Sequence, residues 1–578
     1  EKRYKQYIRV FLRQYQSATE CPTCLGTRLV PDARNVRVAG RTLPDVCALS
    51  VDALDAWIEE LALSPFEMQV AGTVLKEARA RVRFLRDVGL GYLSLDRAAR
   101  TLSGGEAQRI ALANSLGSQL VDTLYVLDEP SIGLHPRDMD RLLGLLARLR
   151  DGGNTVLVVE HDLEAIRMAD YMVEIGPKSG DQGGEVVFAG PVSEAAASPL
   201  TGQYLTGART IALPVERRTP GPRWLTLAGA SAHNVRDVTI RIPVGAMTCV
   251  TGVSGSGKST LVHDILYRAL ETRLHGEHSA KQHLGELVGR YESLTGAEHF
   301  DAVVLIDQEP IGRSPRSNPV TYVKAWDEVR RLFCEVPLAR QRGYTAGTFS
   351  FNVAGGRCET CEGAGHVEVE MVFMADVLVP CETCGGRRFK AEVLEVKLWG
   401  RSIADVLELT IDQAVRALPG DDKLHAALWQ LQQVGLGYLK LGQPATTLSG
   451  GEAQRIKIAR ELAESAKKGG RKLYIMDEPT TGLHLEDIAK LARVLERLVD
   501  QGHTLVLIEH NLDVIKLADW IVDMGPEGGA GGGTLVGMGT PEEIAAIEAS
   551  HTGRWLRTVL PDGGVAPPAP KPRARARR

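Results

Sequence analysis

The string TLSGGEAQRI occurs at Thr101–Ile110 and again, unchanged, at Thr447–Ile456. The likeness spreads outward from it. VGLGYL precedes both copies, at 88–93 and 434–439. Downstream, LYVLDEPSIGLH (Leu124–His135) matches LYIMDEPTTGLH (Leu473–His484), and NTVLVVEHDLEAIRMADYMVEIGP matches HTLVLIEHNLDVIKLADWIVDMGP. Solenoid units run to about 50 residues at most, so a period this long means a duplicated domain. The halves meet in ALPVERRTPGPRW (Ala212–Trp224), a linker rich in Pro and Arg.

Within each half the pattern alternates. TLYVLDEP and TVLVVEH are short β-branched apolar runs, the mark of strands buried on both faces of a parallel sheet. RDMDRLLGLLARLR and LEDIAKLARVLERLV carry apolar residues at helical spacing between such runs. Strand, helix, strand with polar residues at strand ends predicts an α/β fold built on a mainly parallel sheet.

At 44% hydrophobic and 24% charged residues the chain reads as globular. No apolar run reaches the ~20 residues of a membrane helix, so a membrane location is not expected. The charged opening EKRYKQYIRVFLRQYQ is not a signal peptide. The net charge of −4 neither favours nor excludes a nucleic-acid partner. The last residues, KPRARARR after GGVAPPAP, read as a disordered basic tail.

GVSGSGKST fits G-x-x-x-x-G-K-[ST], following an apolar run and preceding LVHDILYRAL. Gly252, Ser254, Gly255 and Gly257 let backbone N–H groups curl round a phosphate, and the following helix N-terminus favours its charge. Lys258 is expected on the β- and γ-phosphates of ATP, and Ser259, with Thr260 behind it, on Mg²⁺. Asp477 and Glu478 end a strand: Asp477 would hold Mg²⁺, and Glu478 would act as general base on water. His510 ends the next strand, where it can sense the γ-phosphate. Asp128, Glu129 and His161 are their counterparts in the first half. Only one phosphate-binding loop is present, which predicts at most one competent nucleotide site in this chain.

Six of the nine cysteines form CxxC pairs. Cys358, Cys361, Cys381 and Cys384 give C-x2-C-x19-C-x2-C, the pattern of a closed structural zinc site. Arg357, Arg387 and Arg388 lie beside it and either balance thiolate charge or reach for phosphates. Cys21 and Cys24 match only the second pair, Cys381 and Cys384, and read as a zinc half-site. The missing loop and the missing cysteine pair both lead to the expectation that a segment upstream of Glu1 is absent.

The LSGGE pair, the phosphate loop, the DEP strand ends and the paired histidines together resemble a tandem ABC ATPase. In that family two heads pack head to tail, each nucleotide lying between one head's loop and the other's signature. The resemblance implies that Lys258, Asp477, Glu478 and His510 face Ser103, Gly104 and Gly105. A second site would join Asp128, Glu129 and His161 to Ser449, Gly450 and Gly451. Zinc modules inside ABC heads further resemble the bacterial UvrA family, the ATP-dependent damage-recognition subunits of nucleotide excision repair. VVLIDQEPIGRSPRSNPVTYV, GYTAGTFSFNVAGGRC, ATTLSGGEAQRIKIARELA and ADWIVDMGPEGGAGGG carry that likeness, which covers nearly all of residues 1–555.

That resemblance implies tandem heads with inserted helical signature regions and zinc modules. It implies a cytoplasmic homodimer, damaged duplex DNA and UvrB as partners, and Gln308 as the residue linking Mg²⁺ to the inserted domain. Arg313, Arg316, Lys324, Arg387 and Arg388 are its candidate DNA contacts. A UvrA-like paralogue in drug tolerance is an alternative, as are transporter or ribosome-acting ABC proteins, which the cysteine pairs disfavour. The expected divisions are 1–100, the end of a zinc module and signature region; 101–210, the first head; and 211–225, the linker. Then come 226–310, the start of the second head; 311–447, its insertion with the zinc module; 448–555, the rest of that head; and 556–578, the tail.

Overall fold

Strands that are apolar on both faces need cover on both sides, and the second half supplies it. The computed structural model describes residues 21–561 apart from 100–101, 103, 117–120, 281–287, 313, 315, 370–376, 419–421 and 469. Its first half has helix α1 (Gly104–Leu116), strand β1 (Leu124–Asp128), helix α2 (Pro136–Asp151) and strand β2 (Thr155–Val159), with β1 and β2 parallel. Strands β3 (Tyr171–Gly176) and β4 (Glu185–Pro191) follow as an antiparallel pair.

The second half opens with β5 (Trp224–Ala232) and β6 (Val235–Pro243), joined by β8 (Ser293–Thr295) in a three-stranded sheet of order β8-β5-β6. Its main sheet holds β7 (Met247–Gly252), β9 (Ala302–Ile306), β10 (Lys472–Asp477), β11 (Thr504–Ile508), β12 (Trp520–Gly525) and β13 (Thr534–Gly539). The order is β9-β10-β11-β7-β12-β13, parallel except for β13. Helices α3 (Gly450–Lys468), α4 (Leu485–Asp500) and α5 (His551–Val559) complete this head.

Successive strand residues point to opposite faces. Tyr474, Met476, Leu505 and Leu507 pack into a core shared with the inserted helices, and Leu473, Ile475, Val506 and Ile508 into a second core under β5 and β6. Each such side chain, fully buried, contributes about 1.5–3 kcal/mol.

The halves differ where β7 stands. In the second head β7 lies between β11 and β12; in the first, β2 and β3 are unpaired with each other and belong to separate two-stranded sheets. Among the described residues the first head also lacks a counterpart of the β5–β6 cover, and this is visible residue by residue. Leu473, Ile475 and Val506 are 0% exposed, while their counterparts Leu124, Val126 and Leu157 are 60%, 62% and 54% exposed. A cavity of about 2140 Å³ opens between β2 and β3 and runs to Tyr438, Arg455 and His484.

Two expected boundaries change. β5 begins at Trp224, inside the expected linker, and the rest of that linker is strapped down: Arg217 pairs with Glu542, and Arg218 with Glu496, Asp500 and Asp519. The expected tail at 556–578 starts too early, because α5 runs to Val559 and buries Leu556. Residues 562–578, with the basic run, lie outside the described residues.

Candidate active site between the heads

Strand β7 ends in Gly252, whose φ of 130° no L side chain adopts readily; a Cβ there would lie 2.0 Å from the Met524 carbonyl. The loop that follows wraps Lys258, which is buried and donates to the Gly252 and Val253 carbonyls at 3.0 and 2.9 Å. Burial lowers the Lys258 ammonium to about 8, against the pull of Glu478 and other carboxylates nearby. The Ser254 and Ser256 hydroxyls are buried there without partners. A cationic cradle with orphaned donors fits a bound polyphosphate. Asn234, which the sequence reading missed, braces the loop by donating to the Gly255 carbonyl at 2.9 Å.

Asp477 and Glu478 stand at the end of β10, beside this loop. Burial lifts Asp477 to about 6, and burial with the Asp477 charge lifts Glu478 to about 7. Glu478 has φ 43°, and Glu129, its counterpart, has the same φ, a left-handed strain held at both strand ends. His510 Nε2 lies 3.8 Å from Glu478 Oε1, and burial holds its ring far below the usual imidazole range. Gln308 donates to the Glu478 carbonyl at 3.4 Å and packs beside Gly450, so it joins this strand end to the N-terminus of α3.

Three further residues complete the second head's part. Gln454 donates to the Asp477 and Ile306 carbonyls at 2.9 and 3.1 Å, tying α3 to β10 and β9. Glu509 is buried and accepts from Thr480 and from the His510 and Asn511 N–H groups, which fixes the histidine loop. His263 Nε2 lies 3.4 Å from Asp477 Oδ2. Gln454 was legible through its twin Gln108, which donates to the Asp128 carbonyl. Nothing in the motif pattern singles out His263.

The first head closes over this site. A Cβ on Gly133 would lie 3.1 Å from Glu478 Oε2, and one on Gly255 would lie 2.7 Å from the Tyr92 ring. The Tyr92 hydroxyl donates to Glu106 of α1 at 2.6 Å, and Asp138 of α2 accepts from the Ser254 N–H at 3.4 Å. Gly105 packs against the Ile132 carbonyl of the same loop as Gly133. Gly105, at the start of α1, thus packs on the loop whose Gly133 meets Glu478; Ser103 lies outside the described residues.

The reciprocal set is also assembled. His161 Nε2 lies 3.3 Å from Glu129 Oε1, and a Cβ on Gly482 would lie 3.2 Å from Glu129 Oε2. Asp128 ends β1 beside them. Ser449 caps α3, accepting from the Glu452 N–H at 3.2 Å. Gly451 packs on the Thr481 carbonyl. No phosphate loop faces this set among the described residues.

The four cysteines come together as expected. Their sulfurs lie within 4.8 Å of one another, with Cys358–Cys381 at 4.0 Å and Cys361–Cys384 at 3.7 Å. Sulfurs each about 2.3 Å from one zinc ion stand about 3.8 Å apart by tetrahedral geometry, so the cluster fits such an ion. The Gly365 N–H donates to Cys361 Sγ at 3.3 Å. Cys21 and Cys24 find no third ligand among the described residues.

The candidate DNA contacts fare differently. Arg388 is buried, donates to the Gly442 carbonyl at 2.7 Å and lies over the Phe351 ring at 5.5 Å, so it is a packing residue and not a surface contact. Arg387 binds Asp405 at 2.8 Å, and Arg316 reaches the Glu362 carbonyl at 3.4 Å. Lys324 is exposed, 3.9 Å from Glu464. Arg313 lies outside the described residues.

A family model described as "ABC transporter" matches residues 344–481. The UvrABC system protein A of Thermus thermophilus is 54% identical over 567 residues, 97% of this chain and 58% of that protein. The Bacillus subtilis protein of that name is 52% identical over 97% of this chain and 58% of its own length. The chain belongs to the UvrA family. The crystal structure of UvrA2 from Deinococcus radiodurans superposes with a TM-score of 0.85 at 45% identity, covering 94% of this chain and 66% of that one. The chain thus spans little more than half the length of the curated UvrA relatives it matches. The tandem ABC fold with an inserted cysteine module is the UvrA fold. No described helix is long and apolar enough to cross a membrane.

Proposed function

We propose that the chain is a cytoplasmic, damage-sensing ATPase of nucleotide excision repair, acting on duplex DNA as a homodimer and serving to load UvrB. The observation that carries this reading is a cross-head nucleotide site together with a four-cysteine module, in a chain 54% identical to a protein named UvrABC system protein A.

In this reading the 252–258 N–H groups and Lys258 hold the β- and γ-phosphates of ATP, and the orphaned Ser254 hydroxyl has a partner there. Ser259 and Asp477 hold Mg²⁺, which when bound neutralises phosphate charge. Glu478, lifted close to neutral pH, takes the proton of the attacking water, since a general base works best with a pKa near the working pH. His510, kept neutral by burial, offers a ring N–H to the γ-phosphate. Ser103, Gly104 and Gly105 close the site from the first head through the N-terminus of α1. Cys358, Cys361, Cys381 and Cys384 hold Zn²⁺ as a structural ion. The second nucleotide site needs a strand and phosphate loop in the slot between β2 and β3.

Lesions are read through duplex deformability, because damaged steps bend or unwind at lower cost. The test is anisotropy with undamaged and bulky-adduct duplexes at fixed salt, with and without ATP. Tighter, nucleotide-dependent binding to the adduct is expected. Equal binding to both duplexes in every nucleotide state would overturn damage sensing by this chain.

A further inference from the structure

His135 and His484 close the repeated GLH strings, and nothing in the site so far uses either ring. Each caps the helix that follows it: His135 Nδ1 accepts from the Arg137 N–H and His484 Nδ1 from the Glu486 N–H, both at 3.2 Å. A ring whose Nδ1 accepts carries its proton on Nε2. That N–H points across the seam. His135 Nε2 lies 3.2 Å from Thr552 Oγ1 in α5 of the second head. Thr552 in turn donates to Asp523 Oδ1 at 2.8 Å, and Asp523 also accepts from Thr251 at 2.8 Å and Ser550 at 2.6 Å. Every member of this chain of bonds is buried.

The arrangement is built twice. His484 Nε2 lies 3.3 Å from Thr201 Oγ1, which donates to Glu174 Oε1 at 2.6 Å. Thr201 and Glu174 belong to the first head, so each loop histidine is held by a threonine–carboxylate pair of the other head. The other side of each ring meets the other head's switch histidine edge-on, His135 with His510 at 6.2 Å and His484 with His161 at 6.4 Å. Thr251 directly precedes Gly252 of the phosphate loop, and Gly133, which abuts Glu478, is two residues before His135.

We propose that His135 is a positioning residue of the composite site: the Thr552–Asp523 pair holds its ring in one orientation, and the ring holds the 131–135 loop of the first head against Glu478 and His510. This rests on the ATPase reading above. A Thr552 hydroxyl both accepts from the ring and donates to the carboxylate, so removing it leaves the buried His135 Nε2–H unpaired and takes one of three hydroxyl donors from Asp523.

The test uses the full chain with Thr552→Val and Thr552→Ser, read in two ways. The first is ATP turnover. Thr552→Val is expected to lower kcat about tenfold with KM unchanged, the rate equivalent of one lost buried hydrogen bond, and Thr552→Ser is expected to restore it. An unchanged kcat, a change confined to KM, or a serine variant no better than valine would overturn the proposal. The second is the ¹⁵N resonances of the histidine rings, which report the tautomer without turnover. The unaltered chain is expected to show His135 as the Nε2–H form, with a signal that shifts in Thr552→Val and returns in Thr552→Ser. A signal indifferent to Thr552 would overturn the relay. Absent turnover with a Thr552-dependent ring signal would instead count against the ATPase reading and leave the relay supported.

Discussion

Gly133 and Gly482 give a paired test of which residues share a site. Both occupy the left-handed region, at φ 66° and 67°, and both lie against a catalytic-type glutamate of the other head, at 3.1 and 3.2 Å for an added Cβ. Alanine at either position costs about 1–2 kcal/mol of backbone strain, so Gly133→Ala and Gly482→Ala are expected to lose similar stability in denaturant titrations. Their catalytic effects are expected to diverge. At 3.1 Å the Glu478 carboxylate must give way by a few tenths of an ångström. A 1 Å misplacement of a reacting group costs about 10²-fold, so a displacement of that size costs about tenfold in rate. Gly482→Ala disturbs Glu129, which faces no phosphate loop among the described residues, and turnover is expected to stay near that of the unaltered protein. The assay is single-turnover ATP hydrolysis, with Glu478→Gln setting the floor about 10²–10⁴-fold down, as expected for loss of a general base. Equal rate losses in the two alanine variants would refute the cross-head assignment.

Chelation or Cys381→Ser is expected to release one zinc equivalent per chain, measured by metal analysis, and to expose the hairpin His366–Val369 with Val377–Pro380 to protease. Retention of metal in Cys381→Ser would break the four-cysteine assignment. The linker is expected to show a pH signature. Burial pushes Glu542 up, but hydrogen bonding and charge from Arg217 more than offset this and leave it below its ordinary 4.5. A carboxyl with a lowered folded pKa contributes stability above its ordinary value and loses it as pH falls through the lowered one. Proteolysis of residues 211–225 should therefore be faster in Glu542→Gln than in the unaltered chain at neutral pH, with the difference lost as pH falls through the lowered Glu542 pKa.

Much of the site was legible because it is written twice. The strand-end carboxylates, both switch histidines and the signature helices were found through the internal match, and the four cysteines through their spacing. Gln454 and His135 carried the same repeat signal, but their roles depend on partners far away in sequence, the Asp477 carbonyl and Thr552. Of the two readings of Arg388, a phosphate contact is set aside because burial and packing on Phe351 decide its place, and charge balance beside the cysteines stands. Nothing in the Pro- and Arg-rich linker sequence signals Glu542, Glu496 and Asp519, the partners that the fold brings to its arginines. Local pattern specifies element type and motif; it does not report which distant side chain completes a hydrogen bond.

The crossed loops carry a thermodynamic consequence. Because the loop with Gly133 answers to Glu478 and the loop with Gly482 answers to Glu129, a shift of one head against the other changes both glutamates together. Any ligand that favours one alignment of the heads does so by a definite coupling free energy, and linkage makes that quantity symmetric. If occupancy beside Lys258 alters the affinity of whatever fills the slot between β2 and β3, then filling that slot must alter nucleotide affinity beside Lys258 by the same factor. Two binding titrations, each done with and without the other ligand, would have to close as a cycle.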